Sequence, residues 1–485
     1  MYRHMRKGLL LLITILVTGF VACNRVEKPN VVFILVDDLG WTDLGCYGST
    51  FYETPHLDQL ASQSILFTNA YAASPVCSPT RAAIMTGKHP VRVGITDWIP
   101  GMSVSNATDP LLETPEDIHN LPLEEVTLAE LFKEHGYRTF FAGKWHLGET
   151  EDYWPLAQGF DKNRGGNHRG SPTFPGGHGY YSPYGNPCLT DGPEGEYLTD
   201  RLTDESIQFI ESQGDDPFFL YLAYYTVHTP IQGCNAYDEL YKEKSLALPD
   251  SGKMKLSQEH EGSTRMNQSL PKYAAMVRSM DSNVGRLMDK LEETGKLENT
   301  IVVFTSDNGG LSTTRNGGPT SVVPLRAGKG WCYEGGIRVP LLLRYPGITD
   351  PGATCEQPAI SMDFYPTLIE LADIEMDQEL HLDGRSLVPF LKNPEEIEER
   401  SLVWHYPHYH GSTWRPGSAI RNNQWKLIEF YEEQVVELYD LTTDLGEHTD
   451  LAAEFPERVD SLHAQMHERL QAMGAKYPVL KDEKK

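Results

Sequence analysis

Residues 77–81, Cys-Ser-Pro-Thr-Arg, bring a sulfur nucleophile, two hydroxyls and a guanidinium into five positions. Pro79 suits the first turn of a helix, where a missing N–H costs little, and Gly87 suits its end. Cys77 then stands at the helix N-terminus, where unpaired backbone donors and the helix dipole favour an anion. Such a position lowers a thiol pKa and makes a reactive cysteine; the plainer reading is a buried cysteine at a helix cap.

Asp37-Asp38 and Asp307-Asn308 form a second set. Three carboxylates crowded together repel one another and need a cation. An all-oxygen set suits Ca²⁺ or Mg²⁺, and no cysteine or histidine cluster points to zinc. Each pair alone also reads as a capped turn. A third set carries charge or protons: Arg81, Lys144, His146, His228 and Lys329. Lys144 and His146, two apart in Gly-Lys-Trp-His-Leu-Gly, can face one side of a cleft. Cationic donors around the equatorial oxygens of a tetrahedral anion, with a metal, would stabilise transfer of that group. His228 taken alone is as readily a structural or surface residue.

The Cys-x-Pro-x-Arg segment, 40 positions after Asp37 in Val-Asp-Asp-Leu-Gly, resembles the signature of the type I sulfatases. The likeness runs from Asn30 to the C-terminal Trp-Lys-Leu and Leu-Tyr-Asp-Leu segments. It implies that a formylglycine-generating or anaerobic sulfatase-maturing enzyme oxidises Cys77 to formylglycine (3-oxoalanine). It further implies one Ca²⁺ on Asp37, Asp38, Asp307 and Asn308. One hydroxyl of the hydrated aldehyde would attack sulfur in line. By the same resemblance His228 protonates the departing oxygen with help from Lys329, and His146 is the base that lets the second hydroxyl expel sulfate. Arg81 orients the hydrate and Lys144 grips sulfate. The implied fold is the alkaline-phosphatase-like α/β/α sandwich with a smaller C-terminal subdomain.

The elements that must position these groups are legible as well. Residues 30–36 (NVVFILV) and 301–305 (IVVFT) are β-branched apolar runs, the pattern of buried central strands. Residues 127–135 have helical periodicity closed by Gly136, and 137–142 read as a strand. A helix over 201–211, a strand over 218–225 and a helix over 272–291 continue the alternation. It predicts a mostly parallel sheet with helices on both faces. Asp37-Asp38, Lys144-His146, His228 and Asp307-Asn308 each follow a strand, so they should gather at the carboxyl-end rim. Residues 163–196 are too long and too rich in Gly, Pro, Tyr and Asn for a routine connection and read as a functional loop. Residues 311–330 read as a polar crossover. From about 401 the pattern becomes that of a small antiparallel sheet, closed by a helix over 456–473.

The chain of 485 residues divides by this reading into a signal (1–23), a catalytic domain (24–390) and a C-terminal subdomain (391–485). The basic start to Lys7, the apolar run from Leu9 to Ala22 and Phe20-Val21-Ala22-Cys23 resemble a bacterial lipoprotein signal. Simple cleavage near Ala22 or an uncleaved anchor fit the same residues. The expected location is the bacterial cell envelope, periplasmic or outer-membrane, or soluble and secreted, touching membrane only through this segment. A formal charge of −26 excludes a basic nucleic-acid footprint and disfavours extended polyanions, so a local positive pocket must hold an anionic substrate. Seven cysteines in an exported chain are compatible with one or two disulfides.

For the substrate, 96–98, 167–169 and 405–415 are candidate surfaces. Trp98 or Trp414 would stack on a sugar, and His168, His408 or Arg415 would bond its polar groups. The kit resembles carbohydrate sulfatases acting exo on 4- or 6-O-sulfated galactose or N-acetylgalactosamine, in glycosaminoglycan or mucin glycans. The alternatives are a phosphate or phosphonate monoester hydrolase on the same scaffold and a non-catalytic glycan-binding lipoprotein.

Overall fold

A computed structural model describes residues 27–101, 109–375 and 380–481; the export signal and Cys23 lie outside the described residues. Asn30–Val36 forms β1, buried along its whole length. Val31, Phe33 and Leu35 enter one core while Val32, Ile34 and Val36 enter another. A strand covered on both faces has no solvent side, so its sequence is an unbroken apolar run.

The other strands of this sheet are β2 (Ile65–Phe67), β3 (Arg138–Gly143), β4 (Lys162–Arg164), β5 (Phe218–Ala223), β6 (Thr300–Ser306), β7 (Leu341–Arg344) and β8 (Thr354–Cys355). They lie in the order β8-β2-β7-β6-β1-β5-β3-β4. The run β6-β1-β5-β3-β4 is parallel, whereas β7 is antiparallel to both β6 and β2. Helices α1 (Cys77–Thr86) and α2 (Leu128–Glu134) contribute Ala82, Ile84, Leu128 and Phe132 to the first core. Helices α3 (Leu198–Ser212) and α4 (Pro271–Glu293) contribute Leu202, Phe209, Met276 and Leu287 to the second. The result is the expected α/β/α sandwich. Thr127 and Glu130 start α2 with a reciprocal capping box.

Three details differ from the sequence reading. The strand expected over 218–225 ends at Ala223, where the chain turns toward His228. The loop expected over 163–196 gives its first residues to edge strand β4. The six described cysteines are all unpaired.

Past residue 400, β9 (Ser401–Tyr406), β10 (Gly417–Asn422), β11 (Trp425–Phe430) and β12 (Val435–Asp440) form an antiparallel meander. Helix α5 (Pro456–Met473) lays Leu462, Met466 and Leu470, spaced four apart, on Ile420, Leu427 and Leu438. The opposite face packs Trp404 and Ile428 with Trp331 and Tyr333, which ties this sheet to the crossover that carries Lys329. Among the described residues no helix is long and apolar enough to cross a membrane.

Candidate active site

Four neighbouring strands, β6, β1, β5 and β3, end level with one another. Val36 is opposite Ser306, Leu35 opposite Ala223, and Ala223 opposite Gly143. Asp307-Asn308, Asp37-Asp38 and Lys144-His146 therefore leave the same rim within a few residues of their strands, and His228 joins them from the loop after β5. Asp38 and His146 both have φ 61°, a left-handed conformation that costs energy outside glycine and recurs at functional sites. At Gly143 a Cβ would lie 1.8 Å from the Ala223 carbonyl oxygen, so only glycine permits this exit. Cys77 opens α1, with Pro79 in its first turn and Gly87 (φ 66°) at its end, and every residue of this helix is buried.

The charged groups interlock. Arg81 donates to Asp307 Oδ2 from Nε (2.9 Å) and Nη2 (2.7 Å), and from Nη1 to the Lys144 carbonyl (2.6 Å). Lys144 Nζ donates to Asp37 Oδ2 at 2.7 Å and Lys329 Nζ to Asp38 Oδ1 at 2.6 Å. Asn308 Nδ2 also donates to Asp38 Oδ1, at 2.8 Å. Three carboxylates thus face three cationic side chains. Burial raises the Asp37 carboxyl well above its ordinary value. Burial acts the same way on Asp38, but Lys329, His228, Lys144 and the Asn308 hydrogen bond together outweigh it and hold that carboxyl below its ordinary range.

Asp37 Oδ1 and Asn308 Oδ1 are buried without a hydrogen-bond partner. An orphaned buried oxygen is costly, and two such oxygens in this carboxylate cluster fit a hard divalent cation. Asp37, Asp38 and His228 also offer ligand atoms all within 4.8 Å of one another. The four residues expected as ligands are therefore together, and their donor chemistry suits Ca²⁺ or Mg²⁺.

Two histidines flank this cluster. His146 Nδ1 is 3.3 Å from Cys77 Sγ, while Nε2 bonds the Ile99 carbonyl oxygen. A carbonyl only accepts, so Nε2 carries the proton and Nδ1 presents its lone pair to residue 77. Burial, then Lys144, pushes the His146 pKa well below normal. Its backbone N–H donates to Asn167 O (3.1 Å) in the expected functional loop, and a Cβ on Gly170 would press on its ring at 2.4 Å. His228 donates from Nδ1 to Thr229 O (2.7 Å), with Nε2 3.8 Å from Asp38 Oδ2. Burial, then Lys329, pushes its pKa down to about 3. Burial opposes the charge on Lys329, but Asp38, with Cys77, Asp37 and Asp307 adding to it, more than compensates and raises its pKa.

A cleft of about 780 Å³ opens over this cluster, lined by Cys77, Trp98, His146, His168, His228 and Lys329 among others. Of the residues expected to bind substrate, Trp98 and His168 line this cleft, whereas His408 and Arg415 do not. His408 is buried and bonded to Thr96 Oγ1 (2.9 Å). Arg415 is held by Glu261 (2.6 Å) and Glu432. Trp414 is core. Arg169 and His410, which lie inside the candidate surfaces 167–169 and 405–415 but were not singled out there, also line the cleft; Arg169 Nε is buried without a hydrogen-bond partner.

The sulfatase family model matches residues 29–374, and the model of the N-sulphoglucosamine sulphohydrolase C-terminal region matches 327–476. A sulfatase of Formosa agariphila is 32% identical, the match covering 92% of this chain and 88% of that protein. Human N-acetylgalactosamine-6-sulfatase is 32% identical over 77% of this chain and 67% of its own length. The crystal structure of Ps i-CgsB in complex with k-i-k-neocarrahexaose superposes with a TM-score of 0.70 at 30% identity, covering 91% of this chain and 92% of that one. With the fold, the rim cluster and these likenesses in agreement, the chain belongs to the sulfatase family and is a sulfuric ester hydrolase.

Proposed function

We propose that the chain hydrolyses a sulfate monoester on a carbohydrate, with Cys77 converted to formylglycine and one Ca²⁺ held by Asp37, Asp38, Asp307 and Asn308. The observation that carries this reading is Cys77 at the start of α1 beside three carboxylates, three cationic side chains and two histidines under one cleft. Sulfatases generally use Ca²⁺ and formylglycine. Once formed and hydrated, that aldehyde would supply two hydroxyls on one carbon, one as the nucleophile toward sulfur and one whose loss of a proton would allow sulfate to leave. The dication supplies charge for the sulfate oxygens.

This chain's own residues do the rest. Lys144, held by Asp37, grips the sulfate oxygens, while Arg81, fixed by Asp307, orients residue 77. His146 Nδ1, left bare by the Nε2 bond to Ile99, takes the proton from the group at 77. Asp38 keeps Lys329 protonated, so Lys329 is the ready proton source for the departing alcohol. His228 has its Nδ1–H committed to Thr229 and donates from Nε2 once protonated, which an arriving sulfate anion favours.

We further propose exo action on 4- or 6-O-sulfated galactose or N-acetylgalactosamine. The name of the human relative supports this reading, as does a cleft within the roughly 300–1,000 Å³ of ligand pockets. The charge of −26 disfavours drawing a long polyanion across the surface. A maturing enzyme acting on Cys77 and a lipid anchor at Cys23 in the bacterial envelope complete the proposal, the latter supported by the basic start and apolar run. Sulfate release from position-defined sulfated galactose, N-acetylgalactosamine and glucosamine saccharides tests it. The galacto-configured 4- or 6-sulfates should be fastest and cut from chain ends. Faster turnover of glucosamine sulfates, of internal sulfates or of matched phosphate esters contradicts the assignment.

A further inference from the structure

On the far side of the C-terminal sheet, His463 and His467 stand one turn apart on α5 and face Glu429 on β11. Nε2 of His463 lies 3.1 Å from Glu429 Oε1, and Nε2 of His467 lies 2.7 Å from Oε2. The three ligand atoms are all within 4.8 Å of one another. The Tyr477 hydroxyl lies 3.2 Å from Nδ1 of His467, and its ring stacks on that imidazole. A metal-bound histidine is held in just this way, by a partner on the nitrogen that does not bind the ion. None of these residues lines the catalytic cleft, and none takes part in the mechanism above.

The donor set differs in kind from the oxygen cluster at the rim. Two imidazoles and one carboxylate suit a borderline transition metal. Ligands about 2.0–2.2 Å from a tetrahedral ion stand roughly 3.3 Å apart, so the two nitrogens and the carboxylate need only small adjustments to enclose one. The side chains of His463, His467 and Glu429 are 39%, 34% and 18% exposed, so an ion can enter from solvent with water as a fourth ligand. We infer that Glu429, His463 and His467 form a second metal site, taking Zn²⁺ or a similar divalent transition ion, that fastens α5 to the antiparallel sheet.

The test uses the full chain without an affinity tag, saturated with Ca²⁺ and titrated with Zn²⁺ by calorimetry, and with Co²⁺ followed by visible absorption. One Zn²⁺ should bind, with a rise in Tm, and Co²⁺ should show the intense bands of a four-coordinate nitrogen–oxygen site. Tyr477→Phe should weaken Zn²⁺ at least about tenfold. His463→Gln and His467→Gln, whose amides can still bond Glu429, should abolish binding while sulfate release stays unchanged. The same Zn²⁺ uptake in a folded His463→Gln/His467→Gln double variant as in wild type, or no uptake by wild type, overturns the inference.

Discussion

Nδ1 of His146 faces Sγ of Cys77 at 3.3 Å while its other nitrogen is tied to the Ile99 carbonyl. That bond fixes the tautomer, and burial with Lys144 nearby keeps the ring neutral. The residue beside the nucleophile is thus a base in waiting. His146→Ala should lower kcat by about 10²–10⁴ and KM along with it, leaving kcat/KM little changed. Quenched-flow should show one equivalent of alcohol released in a burst, then slow turnover. A loss in KM alone, with no burst, would remove His146 from the chemistry.

Lys329 is paired with Asp38 at 2.6 Å and stays charged, so its loss should matter most when the leaving alcohol is poor. Lys329→Ala should cost roughly 10²–10³-fold on a sugar sulfate and far less on a nitrophenyl sulfate. His228→Ala should act in the same direction. Equal losses on both esters would assign Lys329 to sulfate binding instead.

Chelation should remove turnover, and added Ca²⁺ should restore it. Asp37→Asn should weaken Ca²⁺ and also free Lys144 from its 2.7 Å partner. Stability in chelator compared with stability in Ca²⁺ separates the two effects: wild type should gain Tm with Ca²⁺ and the variant should gain little. Full activity after exhaustive chelation would contradict a cation at this site.

Three histidines in and just after β9 predict an acid-sensitive contribution to stability. Burial, the first cause in each case, pushes His405, His408 and His410 down to about 3, 4 and 3. Unfolded imidazoles take up a proton near about 6.5, so the folded state binds fewer protons below that pH. The contribution is complete above about pH 6.5 and is lost as pH falls toward 4, on the order of a few kcal/mol in all. Asp281 and Glu447, both raised to about 7 by burial, act in the opposite sense. The measurement is therefore a difference: between pH 6.5 and 4.5, His405→Gln should lose less Tm than wild type. Parallel Tm profiles would show that His405 contributes nothing to the pH dependence.

His410 and Arg415 give a contrasting pair. His410→Ala should raise KM for the sugar sulfate, because His410 lines the cleft. Arg415→Ala should leave turnover within about twofold while lowering Tm, since its partners are Glu261 and Glu432.

Much of this was readable from spacing. Central strands β1 and β6 announce themselves as doubly buried runs, and the residues just after them are the carboxylates. The short strands β2, β7 and β8 were not, because runs of two to four residues cannot be told from a buried helix segment or a loop. β7 in particular follows a long irregular crossover and runs against its neighbours. That His410 rather than His408 lines the cleft was not legible, because both lie past the end of β9, where no periodicity says which side chain faces it. Nor were the acidic partners of Arg415, because Glu261 and Glu432 come from elsewhere in the chain. The four-residue spacing of His463 and His467 is visible in the sequence, but Glu429 joins them only once α5 docks on β11.

The most direct test is the mass of the tryptic peptide containing residue 77, taken from protein that is actively releasing sulfate. The account predicts a peptide about 18 Da lighter than the unmodified cysteine form, in proportion to activity. Full sulfate release by protein whose residue 77 is entirely an unmodified thiol would contradict it.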